Sequence, residues 1–108
     1  VFGTRPARSQ REATRTGFLQ TDSRTRAEAA QMMGDFDLRP ALAGIRIPTQ
    51  VIAGSHDQLT FLHVNEEVAD AIPGARLEVL HGYGHMLPFE APDQVTDAII
   101  QAAKPTDA

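Results

Sequence analysis

The sequence contains no cysteine and no tryptophan, and it has one tyrosine among its 108 residues. Without cysteine, the chain offers no disulfide, no thiol nucleophile and no cysteine ligand for a metal. Its apolar runs span only three or four residues, as in Val51–Ala53, whereas a membrane helix needs about 20. These absences exclude a disulfide scaffold and a membrane span. The content of 42% hydrophobic and 22% charged residues is ordinary for a globular protein.

The sequence also lacks any dense basic cluster. Residues 1–40 carry seven arginines against five acidic residues, and residues 41–108 carry three basic residues against nine acidic ones. The arginines are scattered singly, without the dense run or interleaved aromatics that contacts to phosphates and bases favour. We therefore expect no nucleic-acid partner, and we interpret the basic half as an ordinary solvated surface.

The second half of the chain has the periodicity of strand, helix, strand and helix. Thr49–Ala53 is a short run rich in β-branched residues, and Arg76–Leu80 alternates polar and apolar side chains, so both are predicted to be strands. Apolar residues at helical spacing from Phe61 to Ile72 predict a helix capped by Thr60. The apolar stripe of a last helix follows Pro92 and consists of Val95, Ala98, Ile99 and Ala102.

This order places two chemically useful side chains at one edge of a sheet. Strands joined by a crossover helix run parallel, so their C-terminal ends share the edge where α/β sheets bind ligands. The loop after the first strand holds Asp57, and the loop after the second holds His85 between flexible glycines. Such a pair forms the orienting half of a nucleophilic triad. On spacing alone, a turn-forming Asp and a surface His remain the alternative.

The first forty residues are less regular, and residues 1–20 predict no element. Thr25 and Glu28 have the spacing of a capping box, which predicts a helix start. A second short helix is expected from Asp37 to Ala43. The apolar residues of both helices are interpreted as core, with a pocket for an apolar substrate as the alternative for the first helix. These residues are Met32, Met33, Phe36, Leu38 and Leu42.

The other histidines and Glu90 are interpreted as non-catalytic. His56 is expected to be a loop residue, and His63 to lie in the first turn of a helix. His81 and His85 are four residues apart, as zinc ligands on a helix are, but intervening glycines oppose a helix, so no metal site is expected. Glu90 is interpreted as a charge at a helix start, near the positive end of the helix dipole.

Residues 45–104 resemble the C-terminal part of the α/β-hydrolase family. The resemblance implies that Asp57 is the catalytic acid and His85 the base, in agreement with the family's chain order of nucleophile, acid and histidine. Residues 22–44 resemble the end of the family's cap region and the helix that returns to the sheet. The segments that carry the resemblance are Ile47–Gly54 for the penultimate strand, Ile72–Leu77 for the turn into the last strand, and Gly82–Pro88 with Glu90, Pro92 and Val95 for the histidine loop and the closing helix.

The family's nucleophile elbow, Gly-x-Ser-x-Gly, is missing from the sequence. Ser55 shares a loop with Asp57, two residues away, so it cannot stand across the histidine from that acid. Ser9 and Ser23 lie in polar stretches with no preceding strand. We therefore expect the chain to be the C-terminal segment of a hydrolase, with the nucleophile and the oxyanion hole upstream of Val1.

Four apolar residues are candidates for substrate contact. Phe61 stands where the family often has proline, and its side chain is expected to line an entrance or cover the sheet edge. Met86 follows the histidine and could touch an acyl chain, with core packing as the alternative. Met32 and Met33 are the candidates from the first half of the chain.

The resemblance implies an α/β fold in two parts. Residues 1–40 would form the end of a helical cap and the return helix. Residues 41–108 would form the last two parallel strands of the hydrolase with their flanking helices. The implied partner is the missing N-terminal part of the same fold, and a cytoplasmic location is expected.

The activity that the resemblance implies is serine esterase or lipase-like hydrolysis of a small carboxylic ester, with no cofactor. The isolated 108-residue segment is expected to be inactive. A non-catalytic ligand-binding member of the fold is one alternative. Enol-lactone, carbon–carbon and dehalogenation chemistry are others, because the fold does not choose among them.

Overall fold

The structure, a computed structural model, describes residues 1–4 and 6–105. Residues 106–108 of the predicted unit 41–108 lie outside the described residues. In chain order the elements are helix α1 (Arg8–Gln20), helix α2 (Ser23–Gly34), helix α3 (Arg39–Leu42), strand β1 (Gln50–Gly54), helix α4 (Leu62–Ala71), strand β2 (Arg76–Leu80), helix α5 (Leu87–Glu90) and helix α6 (Pro92–Ala103).

Strands β1 and β2 pair in parallel, as predicted from the intervening helix. Their register runs from Gln50 opposite Arg76 to Gly54 opposite Leu80. The first strand begins one residue later than Thr49, whose carbonyl oxygen accepts the Arg76 N–H at 3.1 Å, just before the ladder begins. Since both strands end at the same level, the loops that follow them start side by side.

Helix α4 makes the crossover between the strands, but Thr60 does not cap it. Phe61 occupies the N-cap position, and the Thr60 hydroxyl donates to Asp57 Oδ2 at 2.9 Å instead. The helix ends before Pro73, and Gly74 takes a φ of 73°, a left-handed conformation that favours glycine. The predicted helix therefore exists, but the neighbouring carboxylate binds Thr60, which precedes the helix.

The core lies where α4, α5 and α6 meet the two strands. Leu80, Leu87 and Ala91 form a buried cluster, with Ile52, Tyr83 and Val95 packed against it. Ile99, predicted for the buried stripe of α6, is 63% exposed instead. The buried apolar residues are Ala53, Ala69, Ile72, Leu80, Leu87, Ala91 and Ala98.

The helices of the first half differ from the predictions. Helix α1 occupies a region for which the sequence predicted no element. Helix α2 begins at Ser23, where the Asp22 side chain caps it by accepting the Thr25 N–H at 2.9 Å. The predicted capping box is therefore wrong, and Glu28 pairs with Arg24 at 2.9 Å instead.

Helix α3 is shorter than the predicted helix from Asp37 to Ala43. The Asp37 carboxylate accepts the Arg39 N–H at 3.0 Å, and Pro40 follows within the first turn, so the helix starts two residues after Asp37. The same carboxylate pairs with the Arg39 guanidinium, whose hydrogen bond lowers the pKa of Asp37 to about 2. Leu38, expected to be buried, is 54% exposed.

The apolar residues of α2, and Phe36 just after it, are exposed, not buried. Met32 is 75% exposed, Met33 74% and Phe36 67%. Their interpretation as core is wrong for the chain described here, because α2 makes no extensive contact with the sheet or with α4. None of the helices within residues 1–4 and 6–105 combines the length and hydropathy that crossing a membrane requires.

Candidate functional site

The loops after β1 and β2 are joined by backbone hydrogen bonds. Ser55 N–H donates to the Leu80 carbonyl at 3.1 Å, and His56 N–H donates to the Tyr83 carbonyl at 2.9 Å. The Ser55 hydroxyl oxygen accepts the Gly82 N–H at 2.8 Å. These contacts hold the two loops in register, so residues two or three positions further along face each other.

Close approach of the loops depends on glycine. At Gly54, a Cβ would overlap the carbonyl oxygens of Tyr83 and Gly84 and would lie 2.8 Å from the Tyr83 carbonyl carbon. Gly82 takes a φ of 87°, which turns the second loop back across the strand end. A strand ending in any other residue would push the two loops apart.

Asp57 and His85 meet at this junction, as the strand order predicted. His85 Nδ1 lies 2.9 Å from Asp57 Oδ2. Asp57 is the one buried charged residue in the part of the chain that the structure describes, at 8% exposure. The carboxylate also accepts hydrogen bonds from Leu59 N–H at 2.9 Å and Thr60 N–H at 3.0 Å. The sequence therefore located a buried acid and its histidine.

The environment of Asp57 stabilises its charged form. Burial by itself raises the pKa of Asp57. Hydrogen bonds from His85, from the Leu59 and Thr60 backbones and from the Thr60 hydroxyl act in the opposite direction. Together they outweigh burial and hold the pKa below the usual 3.8. An ionised Asp57 accepts from the imidazole, so Nδ1 carries the proton of a neutral His85.

The other ring nitrogen of His85 is left with a lone pair. The His85 side chain is 36% exposed, and within the described ranges its Nε2 atom makes no hydrogen bond. An imidazole held at Nδ1 by a carboxylate and open at Nε2 can accept a proton from a nucleophile. The pair is therefore chemically suited to general base catalysis.

Thr60 is a member of this site that the sequence reasoning missed. Its hydroxyl donates to Asp57 Oδ2 and lies 3.4 Å from His85 Nδ1. The sequence signal for this contact is an Asp three residues before a Thr in a loop. Such an Asp can form an Asx turn, in which its side chain accepts N–H groups from the residues that follow. The position of Thr60 before the helix predicts a helix cap instead.

The candidate substrate contacts are placed unevenly. Phe61 follows Thr60 directly, is 52% exposed, and stacks on His63 with ring centroids 5.9 Å apart. Met86 is next to His85 and is partly buried. Met32 and Met33 lie exposed on α2, which makes no extensive contact with the sheet. Phe61 and Met86 are thus next to site residues in the chain, whereas the structure does not bring Met32 and Met33 to the site.

Serine hydroxyls do not approach His85 within residues 1–4 and 6–105. The Ser55 hydroxyl contacts Gly82 N–H and, at 3.0 Å, His56 Nδ1. Ser9 and Ser23 lie in the first turns of α1 and α2. The same described ranges contain no group of three side chains able to hold a metal ion.

Glu90 lies in the first turn of the four-residue helix α5, as its interpretation as a helix-start charge expected, and it has a further role. It is the last residue of α5, and its carboxylate accepts N–H groups from the histidine loop. Oxygen Oε1 accepts from Gly84 at 3.0 Å, and Oε2 accepts from Met86 at 3.1 Å. Sequence periodicity could not reveal these bonds, because they depend on how the loop folds back over α5.

Comparisons with known proteins agree with this architecture. A family model described as the alpha/beta hydrolase fold matches residues 6–92. No curated protein matches the chain. A solved hydrolase from Pseudomonas aeruginosa PA01 is 38% identical, with a TM-score of 0.60 over 66% of this chain and 26% of that one.

Two further solved structures have more specific names. The enol-lactonase from Burkholderia xenovorans LB400 is 36% identical, with a TM-score of 0.57 over 61% of this chain and 25% of that one. The thermophilic esterase from Thermogutta terrifontis is 32% identical, with a TM-score of 0.56 over 60% of this chain and 24% of that one. The chain thus spans about a quarter of the length of each structure. With parallel strands, flanking helices and a family match over residues 6–92, the chain belongs to the α/β-hydrolase family.

Proposed function

We propose that this chain supplies the acid, Asp57, and the base, His85, of a carboxylic ester hydrolase that uses a Ser-His-Asp triad. The observation that carries the proposal is the contact of 2.9 Å between Asp57 Oδ2 and His85 Nδ1, at the shared C-terminal edge of two parallel strands. The similarity to an esterase and to an enol-lactonase supports it, since a lactone is a cyclic ester.

In this proposal, a serine from the remainder of the hydrolase fold faces Nε2 of His85. The imidazole takes the hydroxyl proton as the serine oxygen attacks the ester carbonyl, and the imidazolium then gives that proton to the leaving alcohol. Water attacks the acyl-enzyme by the same proton transfers and releases the acid. Asp57 stabilises the imidazolium and holds the tautomer in which Nδ1 carries the proton.

The test uses the full-length protein that contains these residues, with p-nitrophenyl acetate and butyrate as substrates. Replacing Asp57 with Asn places an amide beside Nδ1, and replacing His85 with Ala removes the base. We expect kcat to fall by about 10⁴-fold in Asp57→Asn and by about 10⁶-fold in His85→Ala.

His81→Ala is the matched control, because His81 is an exposed histidine on the same loop, four residues before His85. It is expected to keep kcat within about two-fold, well below the effect of losing a base. Full activity in both Asp57→Asn and His85→Ala would refute the proposed triad.

The similarity to the Burkholderia xenovorans enzyme favours enol-lactone hydrolysis as a second candidate. Both reactions use Asp57 and His85, so substitutions of these residues do not distinguish them. Comparing the activity on the two kinds of substrate does. A kcat/KM at least about ten-fold higher for an enol-lactone than for the open-chain esters would favour the lactonase. The reverse ratio would favour the esterase, since a ten-fold ratio is 1.4 kcal/mol of transition-state binding.

We further propose that residues 1–40 belong to a cap region and that the isolated chain is inactive. The second point follows from the arrangement of the serines, since no described serine approaches His85. Adding the isolated chain to p-nitrophenyl acetate is expected to give no hydrolysis above that of the His85→Ala chain.

A further inference from the structure

Glu90 holds the backbone on both sides of His85. Its Oε1 accepts the N–H of Gly84 at 3.0 Å, and its Oε2 accepts the N–H of Met86 at 3.1 Å. Gly84 and Met86 are the immediate neighbours of His85 in the chain. One carboxylate therefore binds the N–H groups of both residues that flank the histidine.

The carboxylate has a firm support of its own. Glu90 closes helix α5, and its own N–H donates to the Met86 carbonyl at 2.9 Å. Helix α5 begins with Leu87, and Ala91 follows it, both buried in the core cluster at 9% and 2% exposure. The residue that binds the histidine loop is thus anchored by neighbours that pack in the core.

A third N–H reaches the same carboxylate from the start of the described chain. Gly3 N–H donates to Glu90 Oε1 at 2.5 Å, and His85 N–H donates to the Val1 carbonyl at 2.6 Å. Thr4 N–H also donates to the Gly82 carbonyl at 3.0 Å. The segment of residues 1–4 therefore lies along the histidine loop, and Glu90 joins the two.

Backbone N–H groups, and no cation, hold this carboxylate within the described residues. Hydrogen bonds to an ionised acceptor are stronger than neutral ones, and their directions fix the positions of the donors. A carboxylate is the side chain that offers two acceptor oxygens and no donor. A glutamine would present one carbonyl oxygen and would oppose the remaining N–H with its amide group.

We propose that Glu90 is a positioning residue that fixes the main chain around His85, so that Nδ1 stays on Asp57. The proposal about geometry stands on the contacts above, and its consequence for catalysis rests on the proposed function. It predicts that loss of the carboxylate lowers turnover while leaving substrate binding nearly intact.

The test compares Glu90→Ala, Glu90→Gln and the control Glu66→Ala in the full-length protein, with p-nitrophenyl acetate as substrate. Glu66 is an exposed carboxylate on α4. Assays are run below the unfolding transition of each variant, as measured by circular dichroism. We expect kcat to fall by about 10- to 100-fold in Glu90→Ala with KM within about two-fold, the scale of a small misplacement of a catalytic group.

Glu90→Gln retains one acceptor oxygen and is expected to recover part of the lost kcat. If Glu90→Ala fails to fold, the kcat of Glu90→Gln is used for the comparison instead. Glu66→Ala is expected to behave as the unmodified protein. A Glu90→Ala variant with unchanged kcat, or an equal loss of kcat in Glu66→Ala, would overturn the proposal.

A second readout does not depend on activity. The Nδ1 proton of His85, bonded to Asp57, is observed by one-dimensional ¹H NMR as a downfield resonance and is assigned by its loss in His85→Ala. We expect this resonance to shift or broaden in Glu90→Ala and to persist in Glu66→Ala. If the unmodified protein hydrolyses no ester, the proposed function fails, but the resonance still decides the role of Glu90. An unchanged resonance in Glu90→Ala would refute it.

Discussion

At the scale of single residues, Asp57 is distinguished by the number of donors that it satisfies while buried. His85, the Leu59 and Thr60 backbones and the Thr60 hydroxyl all point to its carboxylate. Such a group contributes to stability as well as to chemistry, because a lowered pKa in the folded state means that folding favours the ionised form.

The sign of the resulting pH dependence follows from the lowered pKa. Unfolded Asp57 titrates near 3.8 and folded Asp57 at a lower pH, so the unfolded chain binds more protons in this range. The contribution to stability is fully present well above pH 3.8 and is lost as the pH falls through the folded-state pKa. We expect the free energy of unfolding of the full-length protein to decrease over that interval.

Urea unfolding of the full-length protein between pH 2 and pH 6 measures this dependence. Asp57→Asn is expected to flatten it, because the titrating group is gone. Glu66→Gln is the control, since Glu66 is an exposed carboxylate on α4, and it is expected to leave the pH slope unchanged. An Asp57→Asn variant with the same pH slope as the unmodified protein would contradict the assignment.

At the scale of elements, packing is unequal along the chain. Strand β1 ends against the histidine loop so closely that Gly54 has no room for a side chain. Helices α1 and α2, by contrast, contain no buried residue. Replacing glycine with alanine is therefore expected to have opposite effects on stability in β1 and in α1.

Gly54→Ala and Gly17→Ala form a matched pair for the full-length protein. At Gly54 the new methyl group meets the backbone of Tyr83 and Gly84, which cannot yield without separating the two loops. We expect a loss of about 3 kcal/mol, the upper end of overpacking. Gly17 lies inside α1 with nothing within 4 Å of a Cβ, so alanine there is expected to stabilise the helix by about 0.5–1 kcal/mol.

The measurement is the free energy of unfolding in urea, with the Gly54→Ala variant also assayed for ester hydrolysis. The activity of Gly54→Ala is expected to fall together with its stability, since the packing of Gly54 against Tyr83 and Gly84 also sets the distance between Asp57 and His85. Equal effects of the two substitutions would show that the loops are not packed as described.

At the scale of the whole molecule, the chain exposes more surface than a compact domain of its mass. Its accessible surface is 8186 Å², about 2,300 Å² more than the roughly 5,900 Å² that size scaling gives for a folded monomer of 11.7 kDa. Its radius of gyration is 15.8 Å, against about 13 Å for a compact chain of 100 residues. Excess surface of this size is typical of one side of an obligate interface.

The apolar part of that surface includes the side chains of α2 and the region around the sheet. Met32, Met33, Ile47 and Ile99 are all more than 60% exposed. Strand β1 pairs with β2 on one side, and no other strand in the described ranges pairs with either of them. Open strand edges next to apolar side chains favour association between chains.

The isolated 108-residue chain is therefore expected to self-associate and to unfold without a cooperative transition. Size-exclusion chromatography with light scattering measures the first property, and thermal unfolding followed by circular dichroism measures the second. The full-length protein under the same conditions is the control, because there the rest of the fold would cover these surfaces. A monomeric isolated chain with a two-state melt would refute this expectation.

Sequence patterns predict the two strands and the two longer helices of residues 45–104, although not α5, and they place the loops that hold Asp57 and His85 at one edge of the sheet. Periods of two and of about 3.6 residues report which face of an element is buried. Parallel strands then place the loops after them at one edge. The same reasoning failed for Met32 and Met33, because a periodic apolar face shows that a helix can pack but not what it packs against.

The contacts that Thr60 and Glu90 make depend on the tertiary structure. Position along the chain predicts a helix cap for Thr60 and a helix-start charge for Glu90. In the folded chain Thr60 instead binds the carboxylate of Asp57, and Glu90 also binds the N–H groups of Gly84 and Met86. Polar side chains take the partners that the folded backbone presents to them, and these partners exist only once the strands, the loops and α5 have been brought together.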